Sequence, residues 1–231
     1  MGSIRENLMD VEARIQRACE RAGRERKDVT LICVTKTQPT ELLREAYDAG
    51  YRCFGENRVQ EIQEKEPQLP QDIEWHMIGH LQTNKVKYLM SRTSMIHSID
   101  SVHLAEAVSR EAVKAGRVMP VLIEVNAAQE ESKFGVSVSG AEDLIRTIAS
   151  LPGIRVQGLM TIAPYTEDPE TNRPYFRMLR ELSVDINEKC IDNISICDLS
   201  MGMTGDFEVA IEEGATFVRV GTGIFGQRSY T

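Results

Sequence analysis

Lys36 closes the apolar, β-branched run Val29-Thr30-Leu31-Ile32-Cys33-Val34-Thr35. An amine at the tip of such a run is disfavoured as a cation and suited to attack a carbonyl. Taken alone, a strand-end lysine reads as a side chain lifting its ammonium to solvent. Its company argues for chemistry. Glu56 and Asn57 follow a second apolar stretch, Gly79 and His80 a third, and Asn126 a fifth. Near the carboxyl end, Leu199-Ser200-Met201-Gly202-Met203-Thr204 and Gly221-Thr222-Gly223-Ile224-Phe225-Gly226 combine glycines, which let a backbone approach an anion, with hydroxyls that donate to one. Such loops, with a short helix amino terminus, are where barrel enzymes hold phosphate. Arg219 precedes the second loop and shares a strand face with Phe217 and Gly221. If that face is inward, the guanidinium either pairs with a carboxylate or meets a ligand ring nitrogen.

The elements that must carry these residues follow a strand, loop, helix rhythm. Ile4, Leu8, Val11, Ile15, Ala18 and Ala22 recur at steps of four and three, which predicts an amino-terminal helix ending near Gly23. Beyond the first run, strand candidates centre on Cys53-Phe54, Trp75 to Ile78, Met95 to Ile99, Val121 to Val125, Val156 to Ile162, Ile194 to Leu199 and Phe217 to Val220. Ser139 with Glu142 has the spacing of a capping box. Tyr175, Leu179, Leu182 and Ile186 stripe a longer helix. Eight buried strands alternating with helices predict an α/β chain folded as a single (β/α)8 TIM barrel over residues 1–231, with an extra N-terminal helix. An open doubly wound sheet is the other solution, because periodicity does not show closure.

Composition narrows the function class. With 42% hydrophobic and 27% charged residues and a net charge of -8, the chain has no basic stripe for nucleic acid. It has no apolar stretch long enough to span a membrane and no signal peptide. Its five cysteines are scattered without a CxxC pair, and Cys33, Cys53 and Cys197, inside apolar runs, are expected to be buried thiols in a reducing cytoplasm. His76 and His80 are four apart but span a strand and its loop, so no metal site is expected there; His76 reads as a core or second-layer residue. His97 and His103 have no evident chemical company.

A lysine nucleophile, a phosphate cup and an arginine facing a heteroaromatic nitrogen together describe a pyridoxal 5'-phosphate site. The stretch Trp75-His76-Met77-Ile78-Gly79-His80-Leu81-Gln82-Thr83-Asn84-Lys85 resembles the signature of the YggS/PROSC family of pyridoxal phosphate homeostasis proteins, relatives of the alanine racemase N-terminal domain. Val34-Thr35-Lys36, Phe54-Gly55-Glu56-Asn57-Arg58, Gly158-Leu159-Met160-Thr161, Leu199 to Phe207 and Arg219-Val220-Gly221 extend the resemblance over nearly the whole chain. It implies a Schiff base on Lys36 with Asn57 beside the cofactor. It also implies phosphate contacts from Ser200, Gly221 and Thr222, backbone help from Met201 and Gly223, Arg219 at the pyridine nitrogen and Met160 near the ring. The role of His80 stays open.

The resemblance implies a carrier rather than a catalyst, with no catalytic residue assigned. An arginine at the pyridine nitrogen weakens the ring as an electron sink. Related racemases draw a second base from an added domain, for which the residues after Gly221 leave no room. The expectation is a cytoplasmic monomer that binds pyridoxal phosphate and supplies it to apo-enzymes. A weak amino-acid racemase is the alternative, and a class I aldolase would use the same lysine without the cofactor.

Overall fold

The structure, a computed structural model, describes residues 2–130 and 133–226; residues 227–231 of the expected domain lie outside it. Its strands are β1 (Thr30–Val34), β2 (Cys53–Glu56), β3 (Glu74–Met77), β4 (Thr93–Ile99), β5 (Met119–Glu124), β6 (Ile154–Met160), β7 (Asp198–Met203) and β8 (Phe217–Val220). Each pairs in parallel with the next, and β1 pairs with β8 from Thr30↔Phe217 to Cys33↔Val220. That last pairing closes the barrel and excludes the open sheet. The helices are α1 (Ile4–Arg21), α2 (Thr40–Asp48), α3 (Val59–Lys65), α4 (Val102–Lys114), α5 (Ala141–Ile148), α6 (Arg173–Glu188), α7 (Phe207–Glu212) and α8 (Thr222–Phe225). A 3-10 segment, Thr83–Leu89, takes the helix's place between β3 and β4. No helix among the described residues is long and apolar enough to cross a membrane.

The strands are apolar on both faces because each faces two cores. Outward residues such as Phe54, Trp75 and Ile96 join the helix stripes in one large cluster. Inward residues fill the lumen in two smaller groups, Ile32, Val34, Cys53 and Ile78 on one side and Met95, Leu122 and Met160 on the other, with Phe217 packed against both.

The extra helix covers the thin part of the outer ring, where α7 and α8 are short. Ile4, Leu8, Val11, Ile15 and Ala18 are buried as their spacing predicts. Ser3 and Glu6 form a capping box at its start. Asn7 Nδ2 donates to the Ile224 carbonyl at 2.8 Å, and Arg14 pairs with Glu208 at 2.8 Å.

Two local expectations are corrected. The Ser139/Glu142 box does not form: a 3-10 turn, Val138–Gly140, precedes α5, and Ser137 caps that turn, its Oγ accepting from Gly140 N at 3.1 Å. The seventh strand is shifted along the chain. Asn187 ties the backbone of Ile196 into a loop, its Oδ1 accepting from Ile196 N at 2.9 Å and its Nδ2 donating to Ile196 O at 2.8 Å. Register then pairs Leu159 with Leu199 and Met160 with Ser200. Ser200 therefore lies within the strand, below the barrel mouth.

Candidate functional site

The loops at the carboxyl ends of β1, β2, β6, β7 and β8 enclose a cavity of about 450 Å³, the end of the barrel where ligand sites form. Lys36, Asn57, Arg219, Gly221 and Thr222 all line it, so most of the expected site residues are brought together. A larger groove of about 950 Å³ lies alongside and shares Gln38 and Asn57 with it.

Lys36 sits half-buried on the turn after β1, and that turn is clamped on both sides. Thr37, β-branched, is held at φ 63, a left-handed conformation that costs about 1 to 3 kcal/mol unless the surroundings impose it. They do. Thr37 N donates to Glu61 Oε2 at 2.6 Å, while Lys65 of α3 donates to Thr35 O at 2.8 Å, Glu56 Oε1 at 2.7 Å and Glu61 Oε2 at 2.8 Å. The Thr35 hydroxyl also donates to Glu56 Oε1 at 2.6 Å. This cluster lies behind the β2 wall, and burial pushes the Glu56 carboxyl up to about 7 against the pull of Lys65. Spacing marks Glu61 and Lys65 only as an i,i+4 pair on α3; their contacts to Thr35, Thr37 and Glu56 come from distant parts of the chain.

Asn57 is set by an unusually close approach. A Cβ on Gly79 would fall 2.5 Å from the Asn57 carbonyl, so only glycine lets the loops after β2 and β3 cross there. Asn57 lines the cavity, and its Oδ1 is a buried acceptor with no partner among the described residues.

At the opposite wall the hydroxyls are Thr204 and Thr222. Thr222 Oγ1 donates to Thr204 Oγ1 at 3.2 Å, and Gly223 N donates to the same oxygen at 3.3 Å. The chain reaches this arrangement through Gly202, at φ 89, where a Cβ would meet Ala210 Cβ at 2.5 Å and Phe207 Cα at 2.8 Å. Ser200 is not on the cavity wall; nor are Met160, Met201 and Gly223. Met160 packs in the lumen beneath the cavity, and Met201 faces the outer core.

Ser200 instead holds Arg219, which donates Nη1 to Ser200 Oγ at 2.6 Å and Nη2 to the Thr161 carbonyl at 2.8 Å. No carboxylate pairs with Arg219 among the described residues, so the simple salt-bridge reading is not what holds it. Burial lowers its guanidinium to about 10, with Asp206 and Glu124 opposing, which leaves it cationic at neutral pH. Ser200 Oγ is also 2.9 Å from His97 Nδ1, and His97 Nε2 is 2.8 Å from His76 Nδ1. His97 therefore has chemical company after all, supplied by strands that are distant in sequence. Burial holds both rings below the usual histidine range, His76 at about 4, so both are neutral. His80 lies at the rim, stacked on Phe134 at 3.7 Å with Nδ1 3.5 Å from Asp100 Oδ2.

Glu124, at the tip of β5, is 7% exposed, and its Oε2 has no partner among the described residues. Burial raises its carboxyl to about 7, Asp100 adds to the rise and Arg219 opposes it. The folded protein thus keeps a proton that the unfolded chain releases near the ordinary value of 4.5, so this group's contribution to stability falls as pH rises from 4.5 to 7. The slope from one such group reaches at most about 1.4 kcal/mol per pH unit. Urea unfolding at about pH 5 and about pH 7, the two ends of this window, is expected to show a steeper loss of stability in the wild type than in Glu124→Gln. Equal slopes would contradict the assignment.

Residues 7–229 match the family model described as alanine racemase, N-terminal domain. A pyridoxal phosphate homeostasis protein of Aquifex aeolicus is 51% identical over 226 residues, covering 97% of this chain and 98% of the relative. Among solved structures, PipY of Synechococcus elongatus with PLP bound superposes with a TM-score of 0.85 at 32% identity, covering 97% of this chain and 100% of that one. An alanine racemase of Clostridium difficile shares the fold at 13% identity and a TM-score of 0.76; the match covers 98% of this chain and 57% of the racemase.

Proposed function

The chain belongs to the pyridoxal phosphate homeostasis protein family, within the wider alanine racemase N-terminal-domain group, and from that premise we propose that it binds pyridoxal 5'-phosphate reversibly and serves the homeostasis of that cofactor. The observation that carries the reading is a single cavity walled by an amine at Lys36, a cation at Arg219 and hydroxyls at Thr204 and Thr222. When bound, pyridoxal phosphate supplies an aldehyde that a lysine amine captures reversibly.

Lys36 is the capturing amine, held in place by its clamped turn. Arg219 would face the ring nitrogen and, as a fixed cation, would disfavour its protonation. Asn57 offers its unpartnered oxygen beside the ring. Thr204, Thr222 and the backbone around Gly221 would hold the phosphate, with Ser200 acting one layer below by aiming Arg219. Met160 supports the ring from the lumen, while Met201 and Gly223 shape the walls.

The role is carriage, in the cytoplasm and as a monomer, with apo-enzymes as recipients. An unprotonated ring nitrogen is a weaker electron sink for carbanion chemistry, so turnover is what separates carriage from the racemase alternative. Turnover of an amino acid at a rate abolished by Lys36→Ala would overturn the carrier reading.

Thr204→Ala is expected to weaken cofactor binding by about 1.5 to 3 kcal/mol, the range for a hydrogen bond to a charged group. Equilibrium dialysis against pyridoxal phosphate and against pyridoxal, which lacks the phosphate, checks it. A Thr204→Ala variant that loses affinity equally for both ligands places the phosphate elsewhere.

A further inference from the structure

At the end of the barrel opposite the cofactor cavity, β2 and β3 begin side by side with Cys53 and Glu74 as register partners. His76 lies two residues along β3 from Glu74, on the same face of the strand. The geometry points to a binding site for one zinc-class divalent ion at this end, made by Cys53 Sγ, a Glu74 carboxylate oxygen and a ring nitrogen of His76. The ligand atoms lie within 4.8 Å of one another.

The donor chemistry suits that class of ion. Thiolate, imidazole and carboxylate together are ligands for a borderline-soft tetrahedral ion, and three of them leave one position for water. The imidazole is already oriented. His76 Nδ1 is committed to His97 Nε2 at 2.8 Å, so Nε2 is the nitrogen left for an ion, and a ligand histidine with its other nitrogen hydrogen-bonded is the usual pattern. His97 is fixed in turn by Ser200 at 2.9 Å. The buried thiol lies beside a carboxylate that pairs with no lysine or arginine among the described residues, so an incoming cation meets no competing cationic side chain there. Binding exchanges the thiol proton, released to solvent, for the metal–sulfur bond. Glu74 is exposed, so its carboxylate is the ligand an entering ion would meet first.

The test uses tag-free, chelator-treated protein titrated with zinc(II) against a chromophoric chelator, and separately with cobalt(II). The wild type is expected to take up one equivalent of zinc and to show a thiolate-to-cobalt charge-transfer band. Cys53→Ser is expected to lose the band, and Glu74→Gln, at an exposed position that folding does not depend on, to weaken zinc binding about tenfold or more. A wild type that fails to compete with the chelator, or a Glu74→Gln variant that binds zinc as tightly as the wild type, overturns the site. A cobalt band that survives in folded Cys53→Ser does the same.

Discussion

Lys65→Met is expected to destabilise the protein by about 3 to 5 kcal/mol, the cost of removing one partner from a buried ion pair. Lys65 is 7% exposed and its ammonium bridges Glu56, Glu61 and the Thr35 carbonyl. Without it Glu56, fully buried, keeps its carboxyl with only the Thr35 hydroxyl to satisfy it. The same cluster holds Thr37 in its left-handed conformation, so the turn that carries Lys36 should relax as well. Cofactor affinity is expected to fall together with stability. The double variant Glu56→Gln/Lys65→Met should recover much of the loss, because it removes the stranded carboxyl along with its partner. Urea midpoints of the wild type, the single and the double variant check this. A single variant within about 1 kcal/mol of wild type would mean that the cluster does not support the turn.

Lys36→Ala is expected to abolish covalent cofactor while leaving the barrel folded. The contacts that define the turn are made by the Thr35 carbonyl and the Thr37 amide, and these are backbone groups that survive the truncation. What remains for the cofactor is the Arg219 wall and the Thr204 and Thr222 hydroxyls. Pyridoxal phosphate should therefore still bind, weakly and without the visible colour of the lysine adduct, and should leave on dialysis. Absorbance before and after dialysis, with unfolding measured in parallel, separates loss of the amine from loss of the fold. Undiminished colour after dialysis would assign the aldehyde to another residue.

The fold was legible because burial on both faces writes continuous β-branched runs, as at Leu31 to Val34, and a surface helix writes a stripe, as at Ile4 to Ala18. Closure was legible only as the better of two solutions. Lys36, Asn57, Arg219, Gly221 and Thr222 could be read from their places just after or within strands, which is where a barrel puts its ligand residues. Ser200 misled. The apolar run stops at Leu199, but the strand continues to Met203, because pairing with β6 and β8, not hydrophobicity, sets its end. The hydroxyl at the mouth is therefore Thr204, four residues on. The chain from His76 through His97 and Ser200 to Arg219 joins β3, β4, β7 and β8. Nothing local in sequence marks such a contact.

The most direct measurement is borohydride reduction of the cofactor-loaded protein, followed by proteolysis and mass mapping of the pyridoxyl label. The label is expected on the peptide that contains Lys36, at close to one per chain, and in no comparable amount elsewhere. Recovery of the label on Lys85, or on any other lysine with Lys36 unmodified, would contradict the assignment of the cavity amine and the function built on it.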